Sequence, residues 1–150
     1  MSDADRQPLL RRFDCIQVPV PDLEDGLAFY RDQLGHELIW RTETAAGLRM
    51  PDTDAEIVIQ TERDGLESNL LVDSADEAAE RFAQIGGTVV VRPFDIAIGR
   101  CAVVQEPWGN RLVLLDTSKG LLQTDAEGNV LVDEDGQPRV MRLETEQPLS

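Results

Sequence analysis

Histidine is nearly missing from this 150-residue chain: there is one, His36. Cysteine is scarce as well. Cys15 and Cys101 stand far apart with no C-x-x-C spacing, which argues against a disulfide framework and leaves both as small buried hydrophobes. No apolar run approaches the roughly 20 residues that a membrane-spanning helix needs. The first residues, MSDADRQPLLRRF, lack the apolar core of a signal peptide, so the expected location is cytoplasmic. Basic residues are outnumbered, 14 Lys+Arg against 29 Asp+Glu, for a net charge of −15. Such a field repels nucleic-acid backbones and anionic membranes, and neither is an expected partner. No P-loop, nucleophile elbow or dinucleotide fingerprint occurs. The paired Gly86-Gly87 follows a helical pattern, where it serves as a stop.

What is present is a core and a pattern. Hydrophobic residues make up 41% of the chain. DCIQVPVPD, residues 14–22, alternates like a strand, and 13–20 is predicted as one. Residues 21–35 read as a helix, with Asp22 as N-cap, Leu23, Leu27, Tyr30 and Leu34 at helical spacing, and Gly35 as the stop. Short strands are predicted at 36–41, 47–50 and 56–62, separated by the turn-formers TAAG and PDTD. The order then restarts: a strand at 68–72, a helix at 73–87 capped by Ser74, and strands at 88–93, 100–105 and 110–116, with turns at 94–99 and 106–109.

This is an internal repeat. With Leu34-Gly35 laid over Ile85-Gly86, Gln33 falls on Gln84, Ala28 on Ala79, Leu38 on Val89 and Arg41 on Arg92. The expected fold is α+β: two tandem βαβββ modules, 13–62 and 67–118, whose mixed sheets come together with helices covering the outer faces. Residues 119–150 form a third region. VLV (130–132) and RVMRL (139–143) are predicted to pair as a β-hairpin, and 146–150 as a loose end. Its acidic turns are no EF-hand: with Gly136 at the invariant glycine, the first and last ligand positions become Leu131 and Arg142.

VPVPDLEDGLAFYRDQLGHEL resembles the first-module signature of the vicinal oxygen chelate superfamily, the group of glyoxalase I, bleomycin-resistance proteins and extradiol dioxygenases. VDSADEAAERFAQIGGTVV, followed by EPWGNRLVLLD, is similar to its second half. The resemblance covers residues 13–118. It implies a curved sheet from each module, together enclosing a cavity, and in metal-dependent members a His on the first strand of each module and a Glu on a closing strand. There a divalent metal chelates two neighbouring substrate oxygens and stabilises the oxyanion that forms. Carried over position by position, the ligand set reads Cys15, Val58, Glu67 and Val113. Two of these are apolar, and neither imidazole is present. The resemblance therefore implies no usual metal site; if a divalent metal binds, Glu67 together with Cys15 is the start of a ligand set that Glu56, Gln60 or Glu106 would have to complete. A nucleophilic Cys15 is disfavoured, since nothing in register lowers its pKa.

Alternation assigns Cys15, Gln17, Val58, Gln60, Glu67, Asn69, Val113 and Leu115 to the concave face, a mixed lining of the kind small-molecule sites use. Trp40, Arg49, Phe94 and Trp108 are candidate rim residues, Trp108 to stack on a flat ligand and Glu67 to hold a cationic one. The favoured function is binding of a small molecule without the usual metal. The alternatives are a metal-dependent glyoxalase-like lyase, isomerase or dioxygenase built on Glu67, and a regulatory or immunity module acting through a dimer surface. Family members commonly dimerise, so a homodimer is expected.

Overall fold

Two side-chain caps start the two helices. Asp22 accepts from the backbone N–H of Asp25 at 2.9 Å, and Ser74 from that of Glu77 at 3.2 Å. The computed structural model describes residues 7–142. The elements of the first half are β1 (Arg12–Pro19), α1 (Leu23–Leu27) running on as a π-helical turn (Ala28–Gln33), β2 (Leu38–Arg41), β3 (Ala45–Arg49) and β4 (Glu56–Gln60). Those of the second half are β5 (Glu67–Leu71), α2 (Ala75–Gln84), β6 (Thr88–Ile96), β7 (Gly99–Gln105) and β8 (Arg111–Leu115).

Where two sheets were expected, the strands form one. It is curved and unclosed, with the order β2-β3-β4-β1-β5-β8-β7-β6. β1 runs parallel to β4 and β5 parallel to β8, while β1 and β5 pair antiparallel and fuse the halves. The physical reason is that each half leaves its first strand as an edge, and pairing those edges satisfies their N–H and C=O groups.

The helices cover the convex face. There Leu23, Leu27, Ala46, Leu48 and Ile59 form one cluster, and Val72, Ala75, Ala78, Phe82, Val104 and Leu114 a second. The single helix predicted over 21–35 changes character part-way. Its last turns bond i to i+5, as from Leu34 N–H to Phe29 O, and the widened turn swings Leu34 off the buried stripe to half exposure. Two predicted turns belong to strands. Ala45 and Ala46 open β3, with Ala46 fully buried, and Phe94 lies within β6 opposite Cys101.

The third region pairs differently from the hairpin predicted between 130–132 and 139–143. β9 (Leu121–Leu122) pairs antiparallel with β10 (Val140–Met141), while Val132 meets Pro138 in a single bridge. The segment begins at the β6–β7 turn, where Lys119 N–H bonds Ile98 O at 2.9 Å. It reaches the end of β2, where Arg41 N–H bonds Gly128 O at 2.8 Å and Val130 N–H bonds Arg41 O at 2.9 Å. It is thus a strap joining the two halves. Residues 143–150, including the predicted loose end, lie outside the described residues. Among the described residues no helix is long and apolar enough to cross a membrane.

Candidate functional site

Ladder partners point to the same face of a sheet. One row of the concave face runs Glu56, Cys15, Asn69, Val113; the next runs Trp40, Gly47, Val58, Gln17, Glu67. Over these rows lies a cavity of about 720 Å³. The strap supplies part of its wall through Leu121, Leu122 and Thr124, and Ile39, Trp40 and Ile96 supply more. Cys15, Gln17, Val58, Gln60, Asn69 and Leu115 line it. Glu67 and Val113 share the face without lining the cavity. Trp108 stands apart in the 106–109 turn, 82% exposed, where Glu106 Oε1 accepts from its backbone N–H at 2.8 Å.

Asn69 is the unusual member. It is 7% exposed, and its Oδ1 has no hydrogen-bond partner. Gln60, 1% exposed, is the opposite case. Its Oε1 accepts from the backbone N–H groups of Glu62 and Arg63 at 2.7 and 2.8 Å, and its Nε2 donates to Arg63 O at 2.9 Å. That amide shapes the turn after β4, and the turn aims Arg63 back over the sheet. Arg63 then donates to Glu67 Oε2 at 3.1 Å and to Gln17 Oε1. Arg63 is a site residue that alternation along strands does not reach, because it sits in a turn.

Asp14 was missed for a different reason. Strict alternation sends it to the face opposite Cys15. The β1–β5 register slips between Phe13 and Cys15, so Asp14 is the extra residue of a bulge, and it too lines the cavity. Burial pushes its carboxyl above the ordinary range, against a hydrogen bond from the Cys15 thiol and the charge of Arg12. Burial also raises Glu56, against a hydrogen bond from Trp40 Nε1 at 2.9 Å. The indole reaches Glu56 by lying across Gly47, where a Cβ would overlap it. Cys15 is 3% exposed, and burial followed by the Asp14 charge drives its thiol far above its ordinary pKa. It is a protonated thiol, unfit as a nucleophile.

A family model, Glyoxalase/Bleomycin resistance protein/Dioxygenase superfamily, matches residues 12–114. The chain belongs to this superfamily. No curated protein matches it in sequence. Methylmalonyl-CoA epimerase from Mycobacterium tuberculosis is similar in structure at 18% identity, with a TM-score of 0.63, covering 73% of this chain and 90% of that one. The NAD-dependent benzaldehyde dehydrogenase from Legionella pneumophila has 19% identity, a TM-score of 0.58, and coverage of 69% and 97%. A variant of homoprotocatechuate 2,3-dioxygenase from B. fuscum has 21% identity and a TM-score of 0.55, covering 73% of this chain and 33% of that one. Three such different names on one architecture establish the fold alone.

The divalent metal that superfamily membership implies does not fit the side chains present. Val58 and Val113 offer no donor atom. Glu67 is tied to Arg63, whose guanidinium already supplies a positive charge beside it. Cys15 is a single donor, short of the three or four protein ligands a zinc site normally uses. Among the described residues no three His, Cys, Asp or Glu side chains are grouped to hold an ion.

Proposed function

We propose that this member of the superfamily binds a small organic molecule in the concave cavity and does so without the metal its relatives' architecture accommodates. The observation that carries this reading is the fate of the metal positions. Val58 and Val113 are apolar, Glu67 is ion-paired to Arg63 and Cys15 is left as a lone donor, yet the same face borders a cavity of about 720 Å³, ample for a ligand of ordinary size. Residues 13–62 and 67–118 act as two copies of one module, and the strap beyond them completes the wall with Leu121 and Leu122.

The test pairs two measurements on protein purified without chelator. Metal analysis is expected to give far less than one divalent ion per chain. A fragment screen by thermal shift in excess EDTA is expected to give stabilising compounds. One tightly held ion per chain, lost on Glu67→Ala, would instead establish a metal-dependent lyase, isomerase or dioxygenase.

A further inference from the structure

Three acceptors face the cavity with no cation to meet them. Asp14 and Glu56 line it half-buried, and among the described residues neither forms an ion pair. The arginines whose charge reaches them are engaged elsewhere, Arg12 with Asp54 at 2.6 Å and Arg49 with Glu37 at 3.0 Å. The third acceptor is the buried, unpartnered Oδ1 of Asn69. The register brings them together: Glu56 and Asn69 flank Cys15 on neighbouring strands, and Asp14 precedes Cys15 in the bulge.

A buried acceptor without a donor is costly, and a half-buried carboxylate without a cation more so. A fold that keeps three of them on one cavity surface is complementary to a group rich in N–H donors and positive charge. The cations that line the same cavity do not offset this, because Arg12 and Arg63 already face Asp54 and Glu67. The same lining includes apolar side chains, Ile39, Ile96, Leu121 and Leu122, and the ring of Trp40 beside Glu56.

We propose that Asp14, Glu56 and Asn69 form a subsite for the ammonium or amidinium head of an organic cation whose apolar body lies against Trp40 and Leu122. The proposal rests on the reading of the cavity as a small-molecule site, and it adds the charge and donor character of the ligand. The acidity of the whole chain draws such ligands in.

Benzamidine, benzamide and benzoate are matched probes that are cationic, neutral and anionic. Titration into the full chain is followed by the Trp40 indole N–H resonance, which Glu56 accepts, with Trp108→Phe identifying the signal. Benzamidine is expected to bind at least tenfold more tightly than the other two. Asp14→Asn and Glu56→Gln, both isosteric, are each expected to weaken it about tenfold. Asn69→Leu is expected to weaken it while leaving the melting temperature of the free protein unchanged or higher, which a purely structural Asn69 would not do. Equal binding of benzamidine and benzamide, or benzamidine affinity untouched in the Asp14→Asn/Glu56→Gln double variant, overturns the cation subsite and leaves the cavity reading standing. If no probe and no compound of a wider neutral fragment set shifts the Trp40 resonance, both fall together.

Discussion

Arg63 Nε lies 3.1 Å from Glu67 Oε2. The one carboxylate that the sequence places at a metal position is therefore already bonded to a fixed positive charge. The guanidinium also donates to Gln17, so it lies over the face where a metal would be held.

Arg63→Ala releases Glu67. The pair is partly exposed, so the stability lost is small, about 0–1 kcal/mol. Zinc titration of the variant by calorimetry is expected to show no stoichiometric site, because Val58 and Val113 still offer no ligand. Uptake of one ion per chain would show that Arg63 alone keeps the metal out.

Gly47→Ala places a methyl group against Nε1 of the Trp40 indole and Oε1 of Glu56. The ring must move and the 2.9 Å bond to Glu56 is lost. The expected cost is about 1–3 kcal/mol, read by thermal unfolding, together with a shift of the indole N–H resonance. An unchanged resonance would show that the ring does not need this glycine.

Asp14 provides a pH test. Its folded pKa lies above the ordinary 3.8 because burial disfavours the charged form. Its contribution to stability is fully present below pH 3.8 and is lost as the pH rises through the raised value. Asp14→Asn removes that loss. The variant is expected to match wild type at about pH 3 and to melt at a higher temperature at about pH 7. A melting difference that does not change with pH would contradict the burial of this carboxyl.

Gly120 anchors the strap. Its φ is 129°, and a Cβ there would overlap the Met141 carbonyl. Gly120→Val is expected to unseat β9 from β10, speed proteolysis within 119–142 and weaken cavity ligands. The convex clusters, which the strap does not enter, remain intact. Affinity equal to wild type would place the strap outside the binding wall.

Much of the architecture was legible because amphipathic alternation and helix caps are local signals. Asp22 and Ser74 cap as the sequence predicts, and the ladder puts Cys15 and Asn69 on one row and Val58 and Gln17 on the next. The site was legible only where alternation holds. Asp14 escaped because a bulge is set by register between strands distant in sequence, which no single strand reveals. Arg63 escaped because a turn has no periodicity. Trp108 reads in the sequence as a rim aromatic, but its turn lies away from the cavity and leaves it 82% exposed. The strap's wall residues, Leu121 and Leu122, form a two-residue strand too short to carry a pattern.

The most direct measurement is a heteronuclear NMR titration of the chelator-treated protein with the compounds that raise its melting temperature. The account predicts that, in excess EDTA, those compounds shift the Asn69 side-chain amide and the Trp40 indole N–H together. Shifts confined to Trp108 and the outer face, or shifts that arise only after a divalent metal is added, would contradict it.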